Sequence, residues 1–378
     1  MAKKVRIGIL GAGRIGKLHV TNLVNSIPGA EVVIIADPFM NEETAEWAKG
    51  LGITNTTKDP EDVFADDNVD AVFICSSTDT HAEFMIKAAE KGKHIFCEKP
   101  LTMNSRDGEQ ILALVNQNPN IVHGVNFQYR TYPMAQQMRS EVESGAVGRV
   151  LSAHGSYLQD HLLFETDYNW KVHEEFTGPS RCVADIGSHW IDLVQQITNA
   201  KIMRVCADLA TFCPVRKKVT PQSPQGEDVP VKTEDYGAVL FQMDNGAHGV
   251  FCVSNSSAGR KNRFTVEIDG AIKSLSWNQE EPNNLFVGHR DRYNQTLTRD
   301  PALLCDEATA CTMLPPGHPE GWADALYANI RQYYQFVADG KRIGDEPHAF
   351  ATFEDGLNII RLVEAILKSH ATRQWVEL

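Results

Sequence analysis

Six residues near the start, Gly11-Ala12-Gly13-Arg14-Ile15-Gly16, constrain this chain more than any other feature in it. The pattern G-x-G-x-x-G recurs by chance in long chains, so its weight comes from its setting. A strand-like run at 6–10 precedes it, a helical pattern over 15–26 opens within it, and a second strand-like run at 30–36 leads into Asp37, 21 residues after Gly16. In such a unit the first glycine permits a tight turn. The second lets a pyrophosphate approach the backbone, and the third lets helix and strand pack closely. Phosphate then meets the positive end of the helix, and Asp37 accepts hydrogen bonds from the adenosine ribose. Pro38 and Phe39 follow Asp37 with no adjacent Arg to hold a 2′-phosphate, which favours NAD over NADP.

The rest of the first third continues the alternation. Strand-like runs at 71–75, 94–97 and 122–126 interleave with helical patterns at 42–50, 81–91 and 105–116, which predicts a parallel sheet with helices on both faces. From about residue 150 the texture changes. Strand candidates at 150–158, 204–212, 238–243, 247–254, 263–269 and 271–277 follow one another, and Asp244-Asn245-Gly246 and Asp269-Gly270 read as hairpin turns. Helical patterns at 134–144, 185–198, 322–339 and 354–369 and a short strand at 374–378 complete an α+β region, with 222–232 expected as a loop. The expectation is an α/β chain of two domains: 1–125, a Rossmann doubly wound sheet that binds a dinucleotide, and 126–378, an α+β domain with a large, mostly antiparallel open sheet for substrate binding and oligomerisation.

With 36 Lys and Arg against 49 Asp and Glu, the net charge is −13, and the cations form no run. Nucleic acid and anionic membrane surfaces are therefore not expected partners. No apolar stretch approaches the roughly 20 residues that a spanning helix needs, and the first residues fit a signal peptide poorly. The eight cysteines include no C-x-x-C pair and are expected to be reduced packing residues of a cytoplasmic protein.

Two features could carry chemistry. Lys99 in Cys97-Glu98-Lys99-Pro100 closes a strand of the first domain, at the edge where such sheets bind ligands; it is either functional or a solvated cation. Asp185, His189 and Asp192 fall at i, i+4 and i+7, within about 60° on one helical face. This stripe is a helix cap with packing residues, a catalytic pair, or part of a metal site for which no further ligand is evident; no metal is expected.

Taken together, Gly11–Gly16 with His19, the loop Ser77-Thr78-Asp79-Thr80-His81, Gly92-Lys93-His94 with Glu98-Lys99-Pro100-Leu101, Asn126 with Tyr129-Arg130, and Asp185-x-x-x-His189-x-x-Asp192 resemble the Gfo/Idh/MocA family of glucose–fructose oxidoreductases and inositol dehydrogenases. The resemblance implies hydride transfer between a carbinol and a nicotinamide. It makes Lys99 the hydrogen-bond donor to the reacting oxygen, His189 the general acid/base and Asp185 the residue that positions substrate or tunes the histidine. It adds Arg14, Ile15, Ser76, Ser77, Thr78, His81 and Glu98 to Gly11, Gly13, Gly16, Asp37 and Lys99 as cofactor-binding residues, and it implies a homodimer or homotetramer through the outer face of the C-terminal sheet. Ser156–Asp160, Asn169-Trp170-Lys171 and 317–322 resemble a branch acting on sugars, anhydrosugars or polyols such as inositol. Tyr129, Gln159, Lys171 and His318 are the candidate substrate donors and acceptors. Two departures stand out: Lys171 occupies a place where the family more often has Arg, and Gly178-Pro179-Ser180-Arg181 replaces its Gly-rich stretch before the aspartate. Two other functions remain open at this point: a catalytically silent NAD-binding regulator, and an enzyme that recycles tightly bound NAD for epimerisation, glycoside cleavage or sugar–sugar redox.

Overall fold

The alternation of the first third produces six strands in the order β3-β2-β1-β4-β5-β6, all parallel. The structure, a computed structural model, describes residues 4–378. The strands are β1 (Val5–Leu10), β2 (Ala30–Ala36), β3 (Thr56–Thr57), β4 (Ala71–Ile74), β5 (His94–Cys97) and β6 (His123–Val125). Between them run α1 (Arg14–Ser26), α2 (Glu42–Gly50), α3 (Glu61–Ala65), α4 (Thr78–Glu90) and α5 (Ser105–Asn116). Every residue of β4 and nearly all of β1 and β5 are buried, as helices on both faces require. The order of strands reverses between β1 and β4, the crevice where ligands of such sheets bind.

Packing divides the chain into two units. The first is 1–128 together with 326–357, so it does not end at a single cut near 125. Residues 326–357 join it through contacts that no local pattern announces. The Val125 amide donates to Ala351 O at 2.8 Å, and the Tyr333 hydroxyl donates to Val122 O at 3.1 Å. The Tyr333 ring lies on Phe96 and against Phe73, with centroids 4.9 and 5.8 Å apart.

The second unit is 129–325 with 358–378. It opens with α6 (Pro133–Glu143), β7 (Val150–Leu158), the short α7 (Glu174–Thr177) and α8 (Ser188–Thr198). Then come β8 (Ile202–Ala210), β9 (Val215–Thr220), β10 (Ser223–Pro230), β11 (Tyr236–Met243), β12 (His248–Ser254), β13 (Arg263–Gly270), β14 (Ser274–Asn278), β15 (Asn284–Gly288) and β16 (Gln295–Thr298). The chain closes through α9 (Asp306–Ala310), α10 (Trp322–Ala338), α11 (Phe353–Thr372) and β17 (Val376–Glu377). Nine strands form one sheet, β16-β15-β14-β13-β7-β12-β11-β8-β17, antiparallel except where β12 pairs with β7. The polar stretch expected as a loop at 222–232 instead contains β10, which pairs antiparallel with β9 in a separate two-stranded ribbon. β10 has no buried residue and so lacks the apolar alternation that marks a half-buried strand.

Helix α8 packs on β7 and β13, and all eleven of its residues are buried. Trp190 stacks on Phe251 at 4.7 Å and donates through Nε1 to Thr265 O at 2.9 Å. Gly155 makes this seat possible, since a Cβ there would lie 2.0 Å from Thr265 O and 2.8 Å from Trp190 Nε1. The opposite face carries a cross-strand row Leu240–Val250–His154–Glu267–Ser276–Phe286, in which Leu240, Val250 and Phe286 are exposed.

Candidate active site

The candidate residues divide between the units, with Lys99 and the cofactor residues in the first and Asp185 and His189 in the second. In the first unit Gly11 turns the chain at φ +100°, and a Cβ on Gly16 would lie 2.0 Å from Gly11 O. Both positions therefore require glycine. Among the described residues no side chain caps α1 and no acidic residue stands in its first turn, while the space beside Gly13 Cα is open. Its amides are thus left for an anionic ligand. The Asp37 carboxylate faces this loop, accepting from the Ala12 amide at 2.6 Å and the Phe39 amide at 2.7 Å. The site suits a dinucleotide whose phosphates meet the helix and whose ribose meets a carboxylate. Arg14 is exposed and Ile15 half-buried at the same helix start.

Ser76, Ser77 and Thr78 follow β4 into α4. Ser76 Oγ and Thr80 Oγ1 share a 2.6 Å hydrogen bond, and Thr80 Oγ1 donates to Ser77 O. His81 is buried beneath this loop, its Nδ1 2.9 Å from Pro100 O and its Nε2 3.2 Å from Ser76 O. Burial lowers its pKa, so the neutral ring donates to one carbonyl, and it braces the loops after β4 and β5. Lys99, half-buried, lies two residues beyond the end of β5. Its neighbour Glu98 accepts from His19 Nε2 at 2.6 Å and Asn126 Nδ2 at 2.7 Å, and Asn126 accepts in turn from Asn329 at 2.8 Å. Burial pushes the Glu98 pKa up, but the bonds from His19 and Asn126 and the Lys99 charge outweigh it, and the carboxyl stays below its usual range. Sequence reasoning passed over Asn329, which lies more than 200 residues from its partner.

The second unit separates the stripe Asp185–His189–Asp192. Instead of one α-helix over 185–198, residues Val183–Gly187 form a π turn, in which the Ser188 amide reaches Val183 O, and α8 starts at Ser188. Across the π turn each residue advances by less than the 100° of an α-helix, so the wheel angles of a single helix do not apply to Asp185. Asp185 Oδ1 accepts from Lys171 Nζ at 2.8 Å. His189 is buried on the ring of Tyr129, with centroids 5.0 Å apart. Asp192 instead forms a buried two-point pair with Arg130, at 2.8 and 2.6 Å.

The structure places the four substrate candidates differently from one another. Tyr129 is 1% exposed, and its hydroxyl is taken up by Tyr157 Oη at 2.7 Å and Asn262 Nδ2 at 3.0 Å, so it supports His189 from behind. Gln159 donates to Asn262 Oδ1 at 2.8 Å. Lys171 pairs with Asp185, whereas His318 is exposed in a loop pinned by the buried Arg299–Glu320 pair at 3.0 Å. Tyr157 lies in the stretch Ser156–Asp160 already singled out in the sequence, whereas nothing in the sequence marked Asn262, which stands just before β13.

Among the described residues none of the cysteines is in a disulfide, and no helix is long and apolar enough to cross a membrane. Residues 5–127 match the family model of the GFO_IDH_MocA oxidoreductase family, NAD-binding Rossmann fold, and residues 135–275 match the GFO/IDH/MocA C-terminal domain. The chain is 29% identical to levoglucosan dehydrogenase of Pseudarthrobacter phenanthrenivorans over all of its own length and 98% of that protein. It is 30% identical to the uncharacterized oxidoreductase YrbE of Bacillus subtilis, covering 82% of this chain and 90% of YrbE. A solved levoglucosan dehydrogenase in complex with NADH and L-sorbose superposes with a TM-score of 0.88 at 29% identity, covering 99% of each chain.

Proposed function

The chain belongs to the Gfo/Idh/MocA oxidoreductase family, and from that premise we propose that it is an NAD-dependent dehydrogenase oxidising a carbinol of a sugar, anhydrosugar or polyol. The observation that carries this reading is the segment 183–189. A π turn and the start of a helix present Asp185, paired with Lys171, and His189, seated on Tyr129, within five residues of each other. A sensor would need no such acid/base pair. Whole-length likeness to levoglucosan dehydrogenase puts anhydrosugars first among the substrates to try.

When bound, NAD would supply the hydride acceptor for the carbinol carbon. Lys99 donates a hydrogen bond to the reacting oxygen and stabilises the charge that develops there. His189 accepts the hydroxyl proton, and its ring is suited to that near neutral pH. Asp185 orients the substrate beside His189, with Lys171 holding the carboxylate in place. We also assign a homodimer or homotetramer to the exposed sheet row with Leu240, Val250 and Phe286, and a cytoplasmic location.

The test is NADH formation across anhydrosugars, aldoses and inositols, with Lys99→Ala and His189→Ala made in parallel. Each variant is expected to lose about a hundredfold or more in turnover while still binding NADH. Wild-type protein that binds NADH but turns over none of these would support the silent regulator. Cofactor that stays bound through gel filtration would favour internal redox.

A further inference from the structure

Lys171 and Asp185 come from separate stretches, one from the turn Trp170–Val172 and one from the π turn. One buried group of charges reaches both. Asp235, fully buried, accepts from Arg181 Nη2, from Arg216 Nη2 at 2.7 Å, and from the Phe212 and Cys213 amides at 2.8 and 3.0 Å. Arg181 stands four residues before Asp185, and its carbonyl accepts the Asp185 amide at 2.8 Å. The adjacent Glu234 caps the same segment, accepting from Ser180 Oγ, the Arg181 amide and the Val183 amide at 2.7, 3.1 and 2.9 Å. Ser180 and Arg181 lie in the stretch that departs from the family's Gly-rich pattern, and here those two residues make the anchorage.

Arg216 extends the anchorage the other way. Its Nη1 donates to Phe164 O and Asp167 O at 3.0 and 3.2 Å, and its Nη2 to Leu162 O at 2.9 Å. The guanidinium thus sits inside a curl of three carbonyl groups in the loop that leads into Lys171. Two guanidinium groups and two carboxylates balance in charge, but burying them gains little stability over well-packed apolar residues of the same volume. What they add is a fixed geometry: the loop of Lys171, through Arg216, and the turn of Asp185, through Arg181, are tied to the same carboxylate.

We propose that Arg216, acting through Asp235 and Arg181, is a positioning residue that sets Lys171 against Asp185 for the reaction. This rests on the function proposed above. Removing the curl's centre releases the loop, and Lys171 then leaves Asp185 in many of its conformations.

The test compares Arg216→Met, Arg216→Lys, Lys171→Met and the double variant R216M/K171M. Arg216→Met is expected to lower kcat about ten- to a hundredfold, as a displacement of about 1 Å in an aligned site does, with the NADH dissociation constant unchanged. The double variant should be no slower than about the slower single, because both remove the same alignment. Arg216→Lys should recover part of kcat. Losses that multiply, or that come with equal loss of NADH affinity, overturn the proposal. Hydrogen exchange on the NADH-bound proteins supplies a readout independent of turnover: Arg216→Met should deprotect 159–173 and leave 5–127 unchanged. Unchanged protection of 159–173 overturns it. If Arg216→Met does not fold, Arg216→Lys is expected to show the same deprotection at smaller amplitude, and its absence there overturns the proposal too. Should no substrate be found, the function reading fails and the exchange result still decides whether Arg216 holds the loop.

Discussion

Asp37 shows how one side chain can choose a cofactor. Its carboxylate points at the glycine loop, held by the Ala12 and Phe39 amides, and the role proposed for it there is to bond ribose hydroxyls and repel a 2′-phosphate. Asp37→Ala is expected to weaken NAD about ten- to a hundredfold, the loss of a charge-assisted hydrogen bond, and to shift the NAD/NADP preference toward NADP. Equal kcat/KM ratios for the two cofactors before and after substitution would refute that role. Lys99, Asp185 and His189 were legible in sequence because each sits in a short motif. Tyr129 was legible as a residue, but nothing local says that its hydroxyl meets Tyr157 of β7 and Asn262 just before β13. Asp192 falls in the same group: spacing ties it to His189, and only the fold supplies Arg130 as its partner.

Elements were legible where their period was strong and their neighbours close. Five of the six parallel strands, α8 and the strands of the large sheet from β7 to β14 follow patterns that the sequence displays, whereas the two-residue β3 and the short β15 and β16 carry no such signal. The π turn at Val183–Gly187 was not, because one residue of extra winding leaves no trace in an i, i+4 count. β6 carries the second prediction. His123 accepts the Phe353 amide at 3.2 Å, and burial, with His348 nearby, lowers its pKa to about 4 against 6.5 when exposed. Its neutral form is therefore the one the fold favours. The contribution is present in full above pH 6.5 and is lost as pH falls toward 4, amounting to about 3 kcal/mol. Thermal melting of wild type against His123→Gln, whose amide oxygen can still accept from Phe353, checks this: the variant should lose less stability between those two pH values. Parallel curves would show that His123 does not titrate with unfolding.

For the whole molecule, two domains were legible from the change of texture near residue 150, but their membership was not. A local pattern reports what a segment is, and not what it lies on; 326–357 reads as helix and loop whether it packs on one sheet or another. Association is argued at this scale as well. Leu240 and Val250 are register partners in the middle of the open sheet and are both exposed. Leu240→Asp is expected to shift the protein to a smaller species in sedimentation, with NADH affinity retained. Sedimentation identical to wild type would exclude that row from the interface.

The membership of 326–357 also has a consequence for how the protein is made. Tyr333, which covers Phe96 and Phe73, and Ala351, which pairs with Val125, lie beyond residues 129–325. At roughly 5–20 residues per second, a ribosome needs about ten to forty seconds to cross that stretch. During this interval the nascent nucleotide-binding unit has its glycine loop but lacks the aromatic cover of β5 and the partner of β6. The first unit to be translated is thus among the last to be completed, and until the C-terminal segment emerges its uncovered aromatic face is the surface that a chaperone would have to guard.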